Sequence, residues 1–411
     1  MTAPPTQATK PLKILLLNQT FYPDVVATAQ YLTDLALQLK ERGHEVTVIS
    51  GRRAYDESEK QFAAHEKWQG IHIRRVWASR FGKLAKWRRA VDFATFILSC
   101  CWRLLWMPRQ DVTVALTSPP LISWIAAWFT RLRGGRFCYW VMDMNPDEAV
   151  AAGWLREGSL VARALESFSR FSLRTAERIV VLDRFMQERV LRKGINAEKI
   201  SVISPWSQDE KVRFDAAGRE SFRNEHGFGG RFVVMHAGNH SPCHPLDTLL
   251  DAATLLRDNG DIVFCFQGGG SELAKVRRRV DEQKLPNVVC LPYQPVEKLS
   301  AALSAADVHV VVMGDPFVGT IHPCKIYNAL AVGAPILYLG PESSHVADIL
   351  NGASVPTSHI SVRHGEAQKL VEAIWAASLN RLRLTDSELT RMAAICSRAT
   401  LLPQMVAAIE G

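Results

Sequence analysis

None of the eight cysteines among the 411 residues forms a C-x-x-C pair, and Cys/His sets with metal-ligand spacing are missing. Five of them (Cys100, Cys101, Cys138, Cys265 and Cys290) stand in apolar surroundings. That usage argues against a disulfide scaffold and implies reduced thiols in a cytosolic protein. His236, His240, Cys243 and His244 are close in sequence, but no carboxylate or second cysteine completes a ligand set. A loop packed on itself or on a ligand is the expected role, and no metal site is expected. Long apolar runs are missing too. A spanning helix needs about 18–20 uninterrupted apolar residues, and the nearest approach, Phe93 to Met107, is broken by Arg103. Met1 to Pro11 is polar and Pro/Thr-rich, without the apolar stretch of a secretory signal. Nucleic-acid motifs, short-period repeats and low-complexity tracts do not occur. The expectation is a cytoplasmic protein without a spanning helix and without a nucleic-acid partner.

What is present is an ordinary globular composition, 47% hydrophobic and 22% charged, with one anomaly of placement. Between Arg74 and Arg109 stand nine basic residues (Arg74, Arg75, Arg80, Lys83, Lys86, Arg88, Arg89, Arg103 and Arg109) and one acid, Asp92. Their sum equals the net charge of the whole chain, +8, so the remainder is neutral. Lys83 to Met107 also interleaves Trp87, Phe93, Phe96, Trp102 and Trp106 with these cations. Tryptophan and arginine together suit the headgroup layer of an anionic membrane surface, and peripheral docking there is expected. A core helix with a solvated basic edge is the plainer alternative.

The hydrophobic pattern predicts two α/β domains in tandem, each with a parallel sheet. Lys13 to Asn18 is a continuous apolar run, as in a strand buried on both faces. Thr28 to Arg42 has helical spacing, Gly43 stops it, and His44 to Ser50 is the next strand. Further strands are predicted at Asp111–Leu116, Gly135–Met142, Arg178–Leu182 and Lys199–Ser204. Helices are predicted at Leu121–Leu132 and Ser159–Thr175. A polar stretch from Pro205-Trp206 to Gly230 marks the boundary, giving domains 1–205 and 206–396. In the second domain, strands are predicted at Arg231–His236, Asp261–Gln267, Asn287–Leu291, Val308–Met313 and Pro335–Leu339. Helices are predicted at Leu246–Asp258, Glu272–Gln283, Val296–Ala305 and Lys325–Val332. A helical tail, Glu366 to Glu410, closes the chain, with 397–411 packing back on the first domain. Ligands of such sheets bind at the carboxyl ends of the strands, which predicts a shared cleft.

Three second-domain loops suit a nucleoside diphosphate. Gly238-Asn239-His240-Ser241 and Gly268-Gly269-Gly270-Ser271 follow strands, and glycine there lets backbone amides approach phosphate. The second is equally readable as a tight turn. The third loop, Gly314 to Cys324, contains Gly319-Thr320 and leads to Lys325 at a helix start. A lysine there is unfavourable against the helix dipole unless an anion lies nearby. In the first domain, Asp143, Asp147 and Glu148 follow a strand at the cleft edge and are the candidate acids and bases. Helix capping is the plainer role for Asp143 and Asp147.

Phe21-Tyr-Pro-Asp24, Arg42-Gly-His-Glu-Val46, Thr117-Ser-Pro-Pro120, Asp143-Met-Asn-Pro-Asp147 and Ala331-Val-Gly-Ala-Pro335, in this order along nearly the whole chain, resemble the landmarks of glycosyltransferase family 4, in its bacterial surface-polysaccharide (colanic acid, O-antigen) branch. The resemblance implies a GT-B fold, retaining transfer, a nucleotide sugar as co-substrate and no metal cofactor. It implies that Leu291-Pro292-Tyr293 meets the base, with UDP the family habit. It implies that the Gly319 to Lys325 loop holds the diphosphate, with Gly238, Asn239, His240, His244, Gly268, Gly269, Thr320, Ile326, Tyr327 and Asn328 around the donor. Asp24 and Asp147 fall on the acceptor side. Asn239 and His244 stand where many members carry Arg and Lys, and Thr320 and Asn328 where they carry two glutamates. Lys325 and Tyr327 match a Lys-x-Tyr variant of the polysaccharide branch, so Lys325 is the relocated cation. With Asp143, it is the candidate catalytic residue. The expected function is sugar transfer to a lipid-linked or other saccharide acceptor at the inner face of the cell membrane. A non-catalytic relative that pairs with an active partner, and a sugar-nucleotide epimerase, are the alternatives.

Overall fold

The computed structural model describes residues 10–24, 26–54, 60–81, 86–207, 212–352, 359–380 and 396–411. Fourteen strands among these residues form two sheets. β1 (Lys13–Leu17), β2 (Glu45–Gly51), β3 (His65–Trp68), β4 (Ile71–Val76), β5 (Val112–Ala115), β6 (Arg136–Trp140), β7 (Arg178–Val181) and β8 (Ile200–Val202) form the first. Its order is β3-β4-β2-β1-β5-β6-β7-β8, parallel except where β3 runs against β4. β9 (Phe232–Asn239), β10 (Ile262–Gly269), β11 (Val288–Leu291), β12 (Val308–Val312), β13 (Ile336–Leu339) and β14 (His359–Val362) form the second, in the order β11-β10-β9-β12-β13-β14. All its pairs are parallel. Helices cover both sheets, which is why β1, β9 and β12 are mostly apolar, β9 and β12 each admitting one buried histidine, His236 and His309.

Three elements depart from the sequence reading. The hairpin β3–β4 is absent from the predicted strands, and only the end of β4, from Arg74, lies in the stretch counted as a basic stripe. Arg75 there is buried, with Nη1 2.6 Å from Glu66 Oε2 and Nη2 donating to the Tyr22 carbonyl at 2.8 Å. It is therefore neutralised and adds nothing to a surface field. The stretch read as a polar linker contains the helix Ala216–Glu225. Its arginines point inward, Arg219 and Arg223 both pairing with Asp307, so polarity there does not signal solvent. Among the described residues, the helical tail comprises Ala367–Asn380 and Arg398–Glu410, with Ser397 capping the second; residues 381–395 lie outside the described ones.

The last helix lies against the helix Ala27–Glu41 and β7 of the first sheet. Leu401, Leu402, Met405, Val406 and Ile409 are buried in that sheet's core. Glu410 fixes its end, 2.7 Å from Arg42 Nε and 2.8 Å from His44 Nε2. Trp206 is fully buried in the same core, its indole N–H donating to Asp34 at 2.9 Å.

The carboxyl ends of the two sheets face each other, as the contacts across the joint show. Met144 N–H donates to the Thr320 carbonyl at 2.8 Å, and Arg189 Nε to the Val318 carbonyl at 2.8 Å. Arg184 grips Asp348 with two bonds, 2.5 and 3.0 Å. Asp183, just past β7, receives the ring of His322 at 2.8 Å. Among the described residues, no helix is long and apolar enough to cross a membrane.

Candidate active site

β9 and β10 pair in register to their last residues, placing Gly238 opposite Gly268 and Asn239 opposite Gly269. The two glycine loops are therefore one surface. Gly268 has φ +134°, and a Cβ on it would stand 2.0 Å from the Gly238 carbonyl oxygen. Only glycine allows that approach. Tyr293, half exposed, lies over Gly269. Beside them a cavity of about 630 Å³ opens between Gly268, Gly269, Gly270, Arg277 and Pro292.

Lys325 begins the helix Lys325–Ala331 and reaches back to this surface. Its Nζ donates to the Asn239 carbonyl at 2.6 Å and meets His236 Nε2 at 3.0 Å. His236 Nδ1 lies 2.9 Å from the Val310 carbonyl. A carbonyl accepts only, so Nδ1 carries the proton and Nε2 is the acceptor for Lys325. His244 is anchored in the same way, Nδ1 to the Val312 carbonyl at 2.7 Å, and His240 Nδ1 lies 3.2 Å from the Gly269 carbonyl. Burial and the Lys325 charge hold all three imidazoles neutral: His236 and His244 well below the ordinary value, His240 at about 4. Desolvation also lowers the Lys325 ammonium to about 7. Among the described residues, no carboxylate lies within ion-pair distance of it. The site is a half-buried cation braced by neutral groups and aimed past two glycine turns. Such an arrangement is stabilised by an incoming anion.

The remaining candidates divide. Ile326 and Tyr327 are buried, Tyr327 hydroxyl lying 2.7 Å from His322 Nε2. Both support the helix from behind. Gly319 packs on the Phe185 backbone of the first sheet's side, and Thr320, fully buried, donates to the Phe317 carbonyl at 2.9 Å. This pair stands in the joint between the sheets. Asn328 is half-buried on the Lys325 helix. Asp24 follows Tyr22-Pro23, its amide bonded to the Phe21 carbonyl. Asp147 is consumed by Lys193, 2.8 Å away, with Arg189 at 3.8 Å. Neither Asp143 nor Asp147 caps the helix Asp147–Ala151.

The sequence reading missed the support. His236, grouped in sequence with a loop packed on itself or on a ligand, sits inside β9 and holds the Lys325 ammonium. Asp183, His322 and His345 bring a carboxylate and two imidazoles close together. The two rings stack at 3.9 Å and 26°. A metal lies in the plane of each imidazole it binds, and two near-parallel planes this far apart do not share such a point. As arranged, Asp183 and His322 form a hydrogen-bonded joint on which the His345 ring stacks.

With this geometry in place, likeness to known proteins is informative. Residues 27–206 match the model of the glycosyl transferase 4-like domain. The chain is 24% identical over 345 residues to the putative colanic acid biosynthesis glycosyl transferase WcaI of Escherichia coli (strain K12), covering 78% of this chain and 82% of that protein. Its fold is similar to that of Anabaena Alr3699/HepE, solved with UDP and glucose, with a TM-score of 0.71 at 14% identity over 96% and 98% of the two chains. It is also similar to WaaG, a glycosyltransferase involved in lipopolysaccharide biosynthesis, with a TM-score of 0.70 at 15% identity over 97% and 100%. Two mostly parallel sheets facing across a cleft are the GT-B architecture. The chain is a glycosyltransferase and carries the glycosyl transferase 4-like domain.

Proposed function

We propose that this glycosyltransferase moves a sugar from a nucleoside diphosphate sugar to a lipid-linked saccharide in surface-polysaccharide synthesis, working at the inner membrane face and retaining the anomeric configuration. The observation that carries the reading is Lys325, a desolvated ammonium without a carboxylate partner among the described residues, held at the joined ends of β9 and β10. Departure of a diphosphate builds negative charge, and a fixed cation with backbone amides is what stabilises it. The same cation takes the place of a divalent ion, so transfer is expected to persist in EDTA. The cavity between Gly269, Arg277 and Pro292 is of a size for a nucleobase. UDP is the favoured nucleotide because Anabaena HepE was solved with UDP and glucose, and the surface-polysaccharide setting follows the name of the colanic acid relative.

Melting temperatures test the donor half. UDP and UDP-sugars should raise the transition, since a ligand of the folded state stabilises it by mass action, while uridine should not. UDP release that rises on adding a polyprenyl-diphosphate-linked saccharide supports the acceptor half. Release that is indifferent to it overturns that half.

A further inference from the structure

The loop that leads into Lys325 is seated on the opposite sheet residue by residue. The Val318 carbonyl accepts from Arg189 Nε at 2.8 Å, and the Thr320 carbonyl accepts from the Met144 amide at 2.8 Å. Gly319 between them leaves no room for a side chain: a Cβ there, at φ +70°, would stand 2.7 Å from the Phe185 carbonyl. His322 then reaches Asp183, with Nδ1 2.8 Å from Oδ2. Phe185 and Arg189 belong to the helix Arg184–Arg192, which packs on β7 and β8. Asp183 caps that helix, its Oδ1 accepting from the Met186 amide at 2.8 Å. One helix of the first sheet and its cap therefore hold Val318, Gly319 and His322.

His322 passes this contact on. Its Nε2 lies 2.7 Å from the hydroxyl of Tyr327, two residues past Lys325 on the same helix. A carboxylate accepts only, so His322 Nδ1 carries a proton; in the neutral ring Nε2 accepts and the Tyr327 hydroxyl donates. Every donor then points one way, from Tyr327 to Asp183, and such a chain strengthens its own bonds where water is excluded. It is excluded here: the side chains of His322 and Asp183 are 1% and 6% exposed, and Tyr327 is buried. His345 stacks on the His322 ring at 3.9 Å and walls one face of it. Lys325 depends on the same helix start. Its Nζ meets the Asn239 carbonyl at 2.6 Å and His236 Nε2 at 3.0 Å, and both bonds weaken steeply if the helix turns.

We propose that Asp183 is a positioning residue for the donor diphosphate: from the first sheet, through His322 and Tyr327, it fixes the helix start that aims Lys325 at the joined glycine loops. The proposal rests on the donor reading above. The cation of the donor site is then in register only while the two sheets are seated on each other. A donor that binds Lys325 in this register also favours the seated arrangement over any other, because a ligand shifts an equilibrium toward the state it binds better.

Two variants of the full chain cut the relay at opposite ends. Asp183→Ser keeps a capping oxygen for Met186 but falls short of His322. Tyr327→Phe removes one oxygen and keeps the buried ring. Each should weaken UDP binding at least fivefold by calorimetry. In a Lys325→Met background each should change it less than twofold, because the effect acts through Lys325; a merely structural residue would cost the same in both backgrounds. Acetic anhydride labelling of the unliganded chain at pH 8, read by peptide mass spectrometry, gives a second readout. Desolvation lowers the Lys325 ammonium to about 7, so at pH 8 it is largely the reactive free amine. Released into water, it reverts to an ordinary ammonium. Both variants should lower its labelling, relative to the other lysines, at least threefold. If UDP fails to bind the unmodified protein, the donor reading fails while the labelling still judges the relay. Unaltered Lys325 labelling in either variant, or an equal effect on UDP affinity with and without Lys325, overturns the positioning role.

Discussion

Lys325 Nζ lies 3.0 Å from His236 Nε2, an acceptor fixed by the bond from His236 Nδ1 to Val310. A neutral imidazole, where a carboxylate would be the ordinary partner, leaves the cation uncompensated. Its pKa of about 7 means that near pH 8 most molecules hold Lys325 uncharged. A bound diphosphate restores the charge, so binding must draw a proton from solvent. Calorimetry of UDP binding at pH 8, in buffers of different ionisation heat, should report uptake approaching one proton. Lys325→Met should abolish the uptake and weaken binding by about 1.5–3 kcal/mol, the range for a charge-assisted hydrogen bond. Undiminished uptake in the variant would place the titrating group elsewhere.

The contact between the two glycine loops yields a second prediction. A methyl group at Gly268 meets the Gly238 carbonyl at 2.0 Å on a backbone with φ +134°. Neither the strand pair nor the dihedral relaxes cheaply. Gly268→Ala should cost about 2–4 kcal/mol, combining overpacking with strain at positive φ, and should separate the loops that face the diphosphate. Gly260 has open space around it and ordinary backbone angles, so Gly260→Ala is the control and should change neither denaturant midpoint nor UDP affinity. Equal behaviour of the two variants would show that the loops are not held together as described.

How much of this was legible in the sequence depends on where the physics was local. β1 and β9 are visible because burial on both faces leaves an uninterrupted apolar run. Lys325 was visible because a lysine at a helix start opposes the dipole and asks for a reason. β4 was obscured because Arg74 and Arg75 interrupt its pattern, and the Glu66 that neutralises Arg75 is contributed by another strand. The helix Ala216–Glu225 was obscured because its arginines face Asp307, far away in sequence. Asp183 with His322, and Glu148 with Cys243, are pairs across the joint. Nothing local in either segment announces the other.

Buried neutral histidines make stability depend on pH. His236, His244 and His345 are held well below the ordinary imidazole value by burial and by neighbouring positive charge. An unfolded histidine binds a proton below about pH 6.5, whereas these do not until lower pH. The unfolded state then carries more protons, and stability falls as pH drops through about 6.5. Asp183, held low by His322, adds stability that is present above its unfolded value near 3.9 and is lost as pH falls through its lower folded value. Urea midpoints measured from pH 7.5 to 5 should decline. His345, whose ring nitrogens make no hydrogen bond although Nδ1 lies 3.7 Å from Asp183, is the cleanest probe: His345→Phe should flatten the decline by up to one proton's worth of slope. A decline of unchanged steepness would mean that His345 titrates normally.

The helix Lys86–Leu105 and its neighbour Ile122–Arg133 carry an apolar face that the fold does not cover. On the first, Leu98, Trp102 and Leu105 are 67%, 65% and 59% exposed, and Trp106 just beyond its end is 72% exposed. On the second, Trp128 and Leu132 are 40% and 74% exposed. Arg133 joins the two, its guanidinium donating to the Leu105 carbonyl at 2.6 Å. Arg88 and Arg89 stand at the other end of the first helix, against Trp87 and Phe93. Residues 82–85, including Lys83, lie outside the described ones. A face of tryptophan and leucine edged by arginine fits the interface of an anionic bilayer, where apolar burial and charge act separately. The two contributions are separable by experiment. Attraction to anionic lipid is worth about 1 kcal/mol per cation near the surface and fades with salt. Flotation with phosphatidylglycerol vesicles should therefore drop for Arg88→Glu with Arg89→Glu and for high salt, while weak binding to neutral phosphatidylcholine vesicles is unaffected by either. Trp102→Ala with Trp106→Ala should lower binding to both vesicle types, because the inserted area is lost whatever the headgroup. If the tryptophan pair changes neither, this face does not enter a bilayer. If the arginine pair changes both alike, the attraction is not electrostatic.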